Sequence, residues 1–206
     1  IYDGIALGMR FNNRSILNKP FTFSATPMYS SNTGTLVGKF SAVVEDNIRE
    51  KGKLYNIRYL VTGSRFHYTK DAFYTNFVPI VQFRFRDENL RVNKNEFIQL
   101  RQVYVNREKS EFTTDGNTEN YNIFNIKYGN YQSEGTKHFS ILNDLQISSS
   151  FGKVATEVHY RKLFENNRQI SLRFFAGAFM FRSTNSDFFS FGLDRPNDYM
   201  FDYNLL

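Results

Sequence analysis

Three histidines are the residues of this chain best suited to acid–base chemistry. They are scattered along the sequence, as His67, His138 and His159, and no HExxH zinc motif is present. A two-residue loop at Phe151-Gly152 would place Asp144 opposite His159 in a hairpin. Hydrolases use a carboxylate and an imidazole paired in this way as orienter and base. No nucleophile is specified beside this candidate dyad, so a structural pair is the alternative, and we expect no catalysis by the residues present.

The sequence predicts no metal site and no cofactor. Asp194, Asp198 and Asp202 lie close together near the end of the chain, but Ca²⁺ takes ~6–8 oxygen ligands and no spacing supplies them. The segment TTDGNT at 113–118 is typical of a turn. The chain has no cysteine, which removes thiolate ligands and disulfides. Its glycines lack the spacing of a phosphate-binding loop.

Composition narrows the class of protein. The 206 residues carry a net charge of +6, 17% aromatic residues and a mean hydropathy of −0.49. No apolar run approaches the ~20 residues of a transmembrane helix, so an α-helical membrane protein is excluded. Lys and Arg are spread along the chain instead of forming a patch, so we expect no nucleic-acid partner.

The stretch 169–181, QISLRFFAGAFMF, indicates which elements position these residues. From Ile170 to Met180 every second residue is apolar, and Arg173 lies on the other parity. A period of two is a strand period, because successive side chains leave opposite faces of the backbone. The alternation is longer than a usual strand of ~5–6 residues and suits the ~9–11 residues of a tilted strand that crosses a bilayer.

The same alternation predicts about ten strands joined as hairpins in one domain over 1–206, with a long loop at 182–206. We place the strands at 4–11, 21–29, 36–44, 54–62, 77–86, 97–105, 121–131, 139–149, 154–160 and 169–181. Pro27 marks a strand end or a bulge, and a change of phase between Ile123 and Phe124 predicts a β-bulge. Such a meander exposes two edges unless it closes into a barrel.

Two orientations fit the alternation. In a soluble barrel the apolar side chains point inward, whereas in a membrane barrel they point outward and polar side chains line the lumen. Aromatic residues near the strand ends of the apolar parity suit an interfacial girdle. We therefore predict an all-β, antiparallel, up-and-down transmembrane β-barrel. The predicted lumen-facing residues are Arg10, Lys39, Arg58, Arg84, Arg86, Arg101, Glu157, Arg161 and Arg173. The predicted lipid-facing residues are Ile5, Leu7, Phe23, Ile57, Tyr59, Val81, Phe83, Val158, Leu172 and Phe174.

Three segments resemble a known family. They are YDGIALGMRFNNRSILNKPFTFSATPMYSS at 2–31, FGKVATEVHYRKLF at 151–164 and FGLDRPNDYMFDY at 191–203. Together they resemble C-terminal barrel domains of Bacteroidota outer-membrane proteins, in particular the barrel fused to gluzincin, aminopeptidase-like metallopeptidases. BamA-type surface-antigen barrels are the broader relation. The resemblance implies that any peptidase site lies outside these residues. Such barrels end on a strand with a terminal aromatic residue, whereas this chain ends DYNLL, so we expect ten strands to be a lower bound.

The expected role is to anchor or present an associated domain or partner in the outer membrane of a Gram-negative bacterium. Outer-membrane lipid and lipopolysaccharide are the expected contacts. Other outer-membrane proteins are possible partners, because Gln102 and Asn143 interrupt the apolar parity. A passive or substrate-selective pore is the first alternative. A soluble, lipocalin-like binding barrel is the second.

Overall fold

The computed structural model describes residues 3–15, 19–48, 52–87, 93–111 and 120–183. Every strand in these ranges belongs to one antiparallel sheet. The strands are β1 (Ala6–Gly8), β2 (Phe11–Asn12), β3 (Phe21–Ser30), β4 (Leu36–Asn47), β5 (Leu54–His67), β6 (Phe73–Phe85), β7 (Asn93–Arg107), β8 (Tyr121–Glu134), β9 (Lys137–Ile147), β10 (Phe151–Leu163) and β11 (Gln169–Arg182). Among the residues described, no helix is long and apolar enough to cross a membrane.

The sheet is an up-and-down meander. From β3 to β11 each strand pairs with the next strand along the chain, and β1 and β2 both pair with β3. Within the described residues β1 and β11 do not pair, so the sheet is not closed. The predicted all-β, antiparallel, up-and-down arrangement is therefore confirmed, as an open sheet consistent with an incomplete barrel.

A proline explains why the first predicted strand appears as two short ones. Leu7 pairs with Tyr29 and Phe11 pairs with Ala25, which is one continuous register. Between these pairs Met9 N–H donates to the carbonyl of Pro27 at 3.2 Å, and Pro27 has no N–H to donate in return. Pro27 thus interrupts the ladder without ending β3.

One face of the sheet, the apolar face, carries an uninterrupted row of apolar side chains from β3 to β11. Each member pairs directly with the next, because cross-strand partners share a face. The row is Phe21, Val44, Tyr59, Val81, Leu100, Ile126, Leu145, Val154 and Ala178. Many large side chains of this face are exposed, among them Leu172 at 60% and Phe174 at 63%.

The opposite face, the polar face, holds the buried core. Its apolar centre is a cluster of buried side chains near one end of the strands: Tyr74, Val78, Val103, Val105, Ile123 and Phe151. Phe151 belongs to β10 and the others to β6, β7 and β8, so the sheet curls with its polar face inward. Beside this cluster lie buried polar side chains: Asn76, Arg101, Asn125, Gln146 and Lys153.

The irregularities of the strand pairing lie at other positions than the sequence predicted. The bulge expected between Ile123 and Phe124 is wrong, because Val103 and Gln102 pair with them in unbroken register. The phase changes because Ile123 fills the core of the polar face while Phe124 lies on the apolar face. Register shifts occur instead between Leu54 and Asn56 and between Gly152 and Lys153.

The strand connections separate into two ends. The turns at 31–35, 68–72 and 148–150 lie at one end with the core cluster, and the turns at 135–136 and 164–168 lie at the other. The predicted loops 12–20 and 108–120 fall at opposite ends, and residues 16–18 and 112–119 of them lie outside the described residues. Most of the predicted loop 182–206 also lies outside them, because the description stops at residue 183.

Candidate functional site

The polar face collects nearly all of the predicted lumen residues. Strand pairing places seven of them on it: Lys39, Arg58, Arg84, Arg101, Glu157, Arg161 and Arg173. Arg10 reaches the same face, since its Nε lies 3.2 Å from Ser24 Oγ. Arg86 follows β6, where its backbone N–H donates to the carbonyl of Lys53 at 2.7 Å. Their burial differs widely: Arg101 is 6% exposed, while Lys39 and Arg161 are exposed.

The predicted lipid-facing residues fall on the apolar face. Direct pairing joins Leu7 to Tyr29, Phe23 to Ala42, Ile57 to Phe83, Tyr59 to Val81, Val158 to Phe174 and Leu172 to Tyr160. Ile5 precedes β1 and is 70% exposed. The two predicted sets are therefore separated on opposite faces of one sheet.

The candidate dyad is wrong, because Asp144 and His159 do not face each other. The chain reverses at 148–150, not at Phe151-Gly152, so Asp144 pairs with Ala155 and His159 pairs with Ser140. Phe151 is held in β10 by its burial in the core. Gly152 serves close packing instead of a turn, since a Cβ there would lie 2.5 Å from the ring of Phe181.

Asp144 is part of a structural network on the polar face. Asn125 Nδ2 donates to Asp144 Oδ1 at 2.9 Å and to the carbonyl of Leu145 at 3.0 Å. Lys127 Nζ lies 3.3 Å from Asp144 Oδ2, and Gln146 Nε2 donates to Oδ1 at 3.1 Å. Asn125 has no exposed surface. These bonds give both oxygens of the Asp144 carboxylate partners other than His159.

His159 and His138 have other partners. His159 Nε2 lies 2.6 Å from Glu157 Oε1, and the same oxygen accepts a hydrogen bond from Arg173 Nε. His138 Nδ1 lies 2.7 Å from Ser133 Oγ. The His159–Glu157 contact lies within β10, and the Arg173–Glu157 and His138–Ser133 contacts each join two adjacent strands. Such contacts are expected between side chains on one face of a sheet.

Sequence reasoning missed a carboxylate–imidazole pair at the end of the sheet that carries the core. Asp3 Oδ1 lies 2.6 Å from His67 Nδ1, and Asp3 Oδ2 accepts from the backbone N–H of His67 at 3.3 Å. Burial alone would raise the pKa of Asp3, but the hydrogen bonds from His67 outweigh it and hold that pKa below its ordinary value. Ser30, which donates to the Asp3 carbonyl at 2.8 Å, has no exposed surface, so this group ties the chain before β1 to β3 and β5.

A cationic cavity of about 420 Å³ lies on the polar face over β3, β4 and β5. Arg10, Arg14 and Lys39 supply its charge, and Ser24, Thr26, Ser41, Thr62 and Ser64 supply hydroxyl groups. The hydroxyls form two cross-strand rows: Ser24 pairs with Ser41 and Ser41 with Thr62, and Thr26 pairs with Lys39 and Lys39 with Ser64. Leu60 and Ile80 form an apolar wall. The sequence placed Arg10 and Lys39 on one parity but gave no signal that they share a cavity with Arg14.

The described residues contain no group of three or more His, Cys, Asp or Glu side chains that could hold a metal ion. Asp194, Asp198, Asp202 and the segment 113–118 lie outside them. Comparison with family models, with curated proteins and with solved structures finds no match to this chain. The resemblance to Bacteroidota outer-membrane barrels therefore stays a prediction.

Proposed function

We propose that this chain is part of an outer-membrane β-barrel that anchors or presents an associated domain or partner in a Gram-negative envelope. The observation that carries the proposal is that the apolar face is turned outward, while charged and amide side chains are buried beside the core on the inward face. The row that contains Val81 and Leu100 lies on the outside of the curl, while Arg101 and Asn125 are buried on the inside. A lipocalin-like soluble barrel would instead present a polar outer surface to water.

Strand length supports the same assignment. The strands from β4 to β11 span between 11 and 15 residues, against the ~9–11 residues that a tilted membrane strand requires. Exposed apolar patches this extensive are rare on soluble monomers, which keep the largest patch to ~300–600 Å². Hydrocarbon chains of outer-membrane lipid and lipopolysaccharide would cover the apolar face without a further protein.

An anchoring role fits the interior better than a wide pore. The polar face between β6 and β10 is filled at one end by the core cluster, in which Val78, Val103 and Ile123 have no exposed surface. Next to it, the Asp144 network occupies the space with buried and partly buried polar side chains that hydrogen bond to Asp144. A water-filled passage needs that volume to be open. The pore is the second candidate, and it is favoured only by the cationic cavity over β3 to β5.

A neighbouring outer-membrane protein forms the second part of the proposal. Gln102 and Asn143 lie on the apolar face, since they pair with Phe124 and with Tyr128 respectively. Each hydrogen bonds within the face: Gln102 Nε2 donates to Asn122 Oδ1, and Asn143 Oδ1 accepts from Thr156 at 2.8 Å. These polar pairs mark the area of the apolar face best suited to a protein neighbour.

Single-cysteine labelling tests the lipid contact, because the chain has no native cysteine. Val81→Cys and Leu100→Cys place a nitroxide on the apolar face, while the adjacent Gln82→Cys and Gln99→Cys place it on the polar face. In phospholipid vesicles we expect the labels at 81 and 100 to collide with dissolved oxygen and to be shielded from a water-soluble nickel chelate. The labels at 82 and 99 serve as matched controls and should not show this lipid signature.

A clear negative result is available from the same four variants. Equal nickel accessibility at 81 and 82, or a monodisperse protein in water with label 81 shielded in the absence of lipid, would remove the membrane assignment. Conductance in planar bilayers separates the two remaining candidates, because an anchor with a filled interior should give no stable current steps.

A further inference from the structure

We propose that the cationic cavity binds a phosphorylated sugar through Arg10, Arg14 and Lys39 and the hydroxyl rows beside them. The inference goes beyond the anchoring role and does not depend on lipid contact, because the cavity lies on the polar face. Its volume of about 420 Å³ falls within the ~300–1,000 Å³ of small-molecule sites.

None of the described residues that line the cavity is acidic. Among the described residues no carboxylate forms an ion pair with Arg10, Arg14 or Lys39. Elsewhere on the same face three basic groups do have acidic partners, namely Arg58 with Glu45, Lys127 with Asp144 and Arg173 with Glu157. Three cations around one concavity suit a dianionic group, and charge-assisted hydrogen bonds to phosphate oxygens are about twice as strong as neutral ones.

Four of the five hydroxyl groups of the cavity are available to a ligand, whereas the fifth, Ser64 Oγ, donates to Asn76 Oδ1 at 3.1 Å. Within the part of the chain that the structure describes, the side chains of Thr26, Ser41 and Thr62 make no hydrogen bond. Ser24 Oγ accepts a hydrogen bond from Arg10 Nε at 3.2 Å and keeps its own proton to donate. Hydroxyls both donate and accept, so a row of them complements the hydroxyls of a sugar.

The apolar wall completes the match to a sugar. Leu60 and Ile80 pair across β5 and β6 and meet the cavity beside the hydroxyl row. A pyranose ring has C–H surfaces as well as hydroxyls, so it can cover such a wall while its phosphate reaches the cations. Inorganic phosphate has no such surface and should bind less well.

The test is calorimetric titration of the purified full chain in detergent micelles with glucose 6-phosphate, glucose and inorganic phosphate. We expect saturable binding of glucose 6-phosphate and at least tenfold weaker binding of the other two. Lys39→Gln and Arg10→Gln should each weaken the binding of glucose 6-phosphate about tenfold, because each variant loses one charge-assisted hydrogen bond to the phosphate, and Lys39→Arg should restore affinity to within about threefold. Thr62→Val should weaken glucose 6-phosphate without changing the affinity for phosphate.

Arg161→Gln is the matched control, since Arg161 is an exposed cation of the same face that does not line the cavity. It should bind glucose 6-phosphate as the parent chain does. The proposal fails if glucose 6-phosphate gives no saturable heat, if inorganic phosphate binds equally well, or if Arg161→Gln weakens binding as much as Lys39→Gln. None of these outcomes bears on the labelling result at 81 and 82, so this inference and the membrane assignment can fail separately.

Discussion

Asp3 and His67 meet across the end of the sheet, with 2.6 Å between Asp3 Oδ1 and His67 Nδ1. Sixty-four positions separate them in the chain, and the contact fastens the segment before β1 to the last residue of β5. The ring of His67 also packs against that of Phe73, with 4.0 Å between ring centroids and a tilt of 35° between the ring planes. Among the described residues β1 pairs with β3 alone, so this contact gives the segment before β1 a further attachment to the sheet.

Replacing Asp3 with alanine should release that edge. At neutral pH we expect Asp3→Ala to accelerate amide exchange at residues 3–12 about tenfold, since hydrogen bonds to a charged group contribute roughly 1.5–3 kcal/mol. Exchange at residues 93–107, in β7, should be unchanged and serves as the internal control. Mass-spectrometric hydrogen exchange measures both regions in one sample, and equal acceleration of both would contradict the local role of Asp3.

The same contact makes a pH prediction. The pKa of Asp3 lies below its ordinary value of 3.8, so the carboxylate stabilises the fold fully above 3.8 and loses that contribution as the pH falls through the lower pKa of the folded state. The difference in unfolding midpoint between Asp3→Ala and the parent chain is therefore followed from pH 5 downward. It should shrink below 3.8, as followed by chemical denaturation at each pH. A difference that grows on acidification would have the wrong sign.

A charge on the apolar face should be much more costly than the same charge on the polar face. Val81→Arg places a guanidinium in the middle of the uninterrupted apolar row, and near a bilayer midplane this costs about 2–4 kcal/mol. Gln82→Arg, one residue further along β6, should change stability by less than about 1 kcal/mol. Guanidinium unfolding in phospholipid vesicles measures both. The opposite ranking would indicate that the polar face is the one in contact with lipid.

Two side chains that contact Asp144 should differ in importance because they differ in burial. Asn125 is fully buried, so Asn125→Ala deprives Asp144 and the Leu145 carbonyl of donors and should cost about 1–3 kcal/mol. Lys127 is partly exposed, and Lys127→Met should cost less than about 1 kcal/mol. Equilibrium unfolding of the two variants gives the comparison. Similar losses for both would mean that the ion pair, not the buried amide, holds this network.

Two glycines with positive φ should respond unequally to alanine. Gly38 has φ 146° and its added Cβ would lie 2.1 Å from the carbonyl oxygen of Thr26, so Gly38→Ala must displace backbone of β3. Gly135 has φ 50° and open space around it, so Gly135→Ala should cost only the ~1–2 kcal/mol of left-handed backbone. Thermal unfolding should show a clearly larger fall for Gly38→Ala. A smaller fall than for Gly135→Ala would exclude the close approach at Thr26.

Strand positions could be read from the sequence because alternation is a local signal. The run from Gln169 to Phe181 predicted β11, which ends one residue later at Arg182. Residues two positions apart in a strand share a face, so the apolar alternation alone shows which side chains lie together. Ile123 and Phe124 show the limit of this reading. Both are apolar but lie on opposite faces, and only the three-dimensional core shows that Ile123 joins the apolar cluster on the polar face.

Register and long-range contacts could not be read in the same way. The turn lies at 148–150 instead of Phe151-Gly152, so the observed partner of Asp144 is Ala155 and not the predicted His159. The register of a hairpin depends on which residues form its turn. The Asp3–His67 contact depends on how β1, β3 and β5 are offset, and no local pattern carries that information. The cavity likewise requires Arg14, a loop residue, to approach strands that follow it in the chain.

The continuous apolar row from Phe21 to Ala178 has a consequence for the folding and purification of this chain. Until this row is covered, each chain exposes a continuous apolar surface to other copies of itself. We expect two such surfaces to associate when no amphiphile is present. We therefore expect folding to compete with aggregation, and a lipid, a detergent or a chaperone must cover the row first. Refolding yield should rise steeply with surfactant and fall with protein concentration.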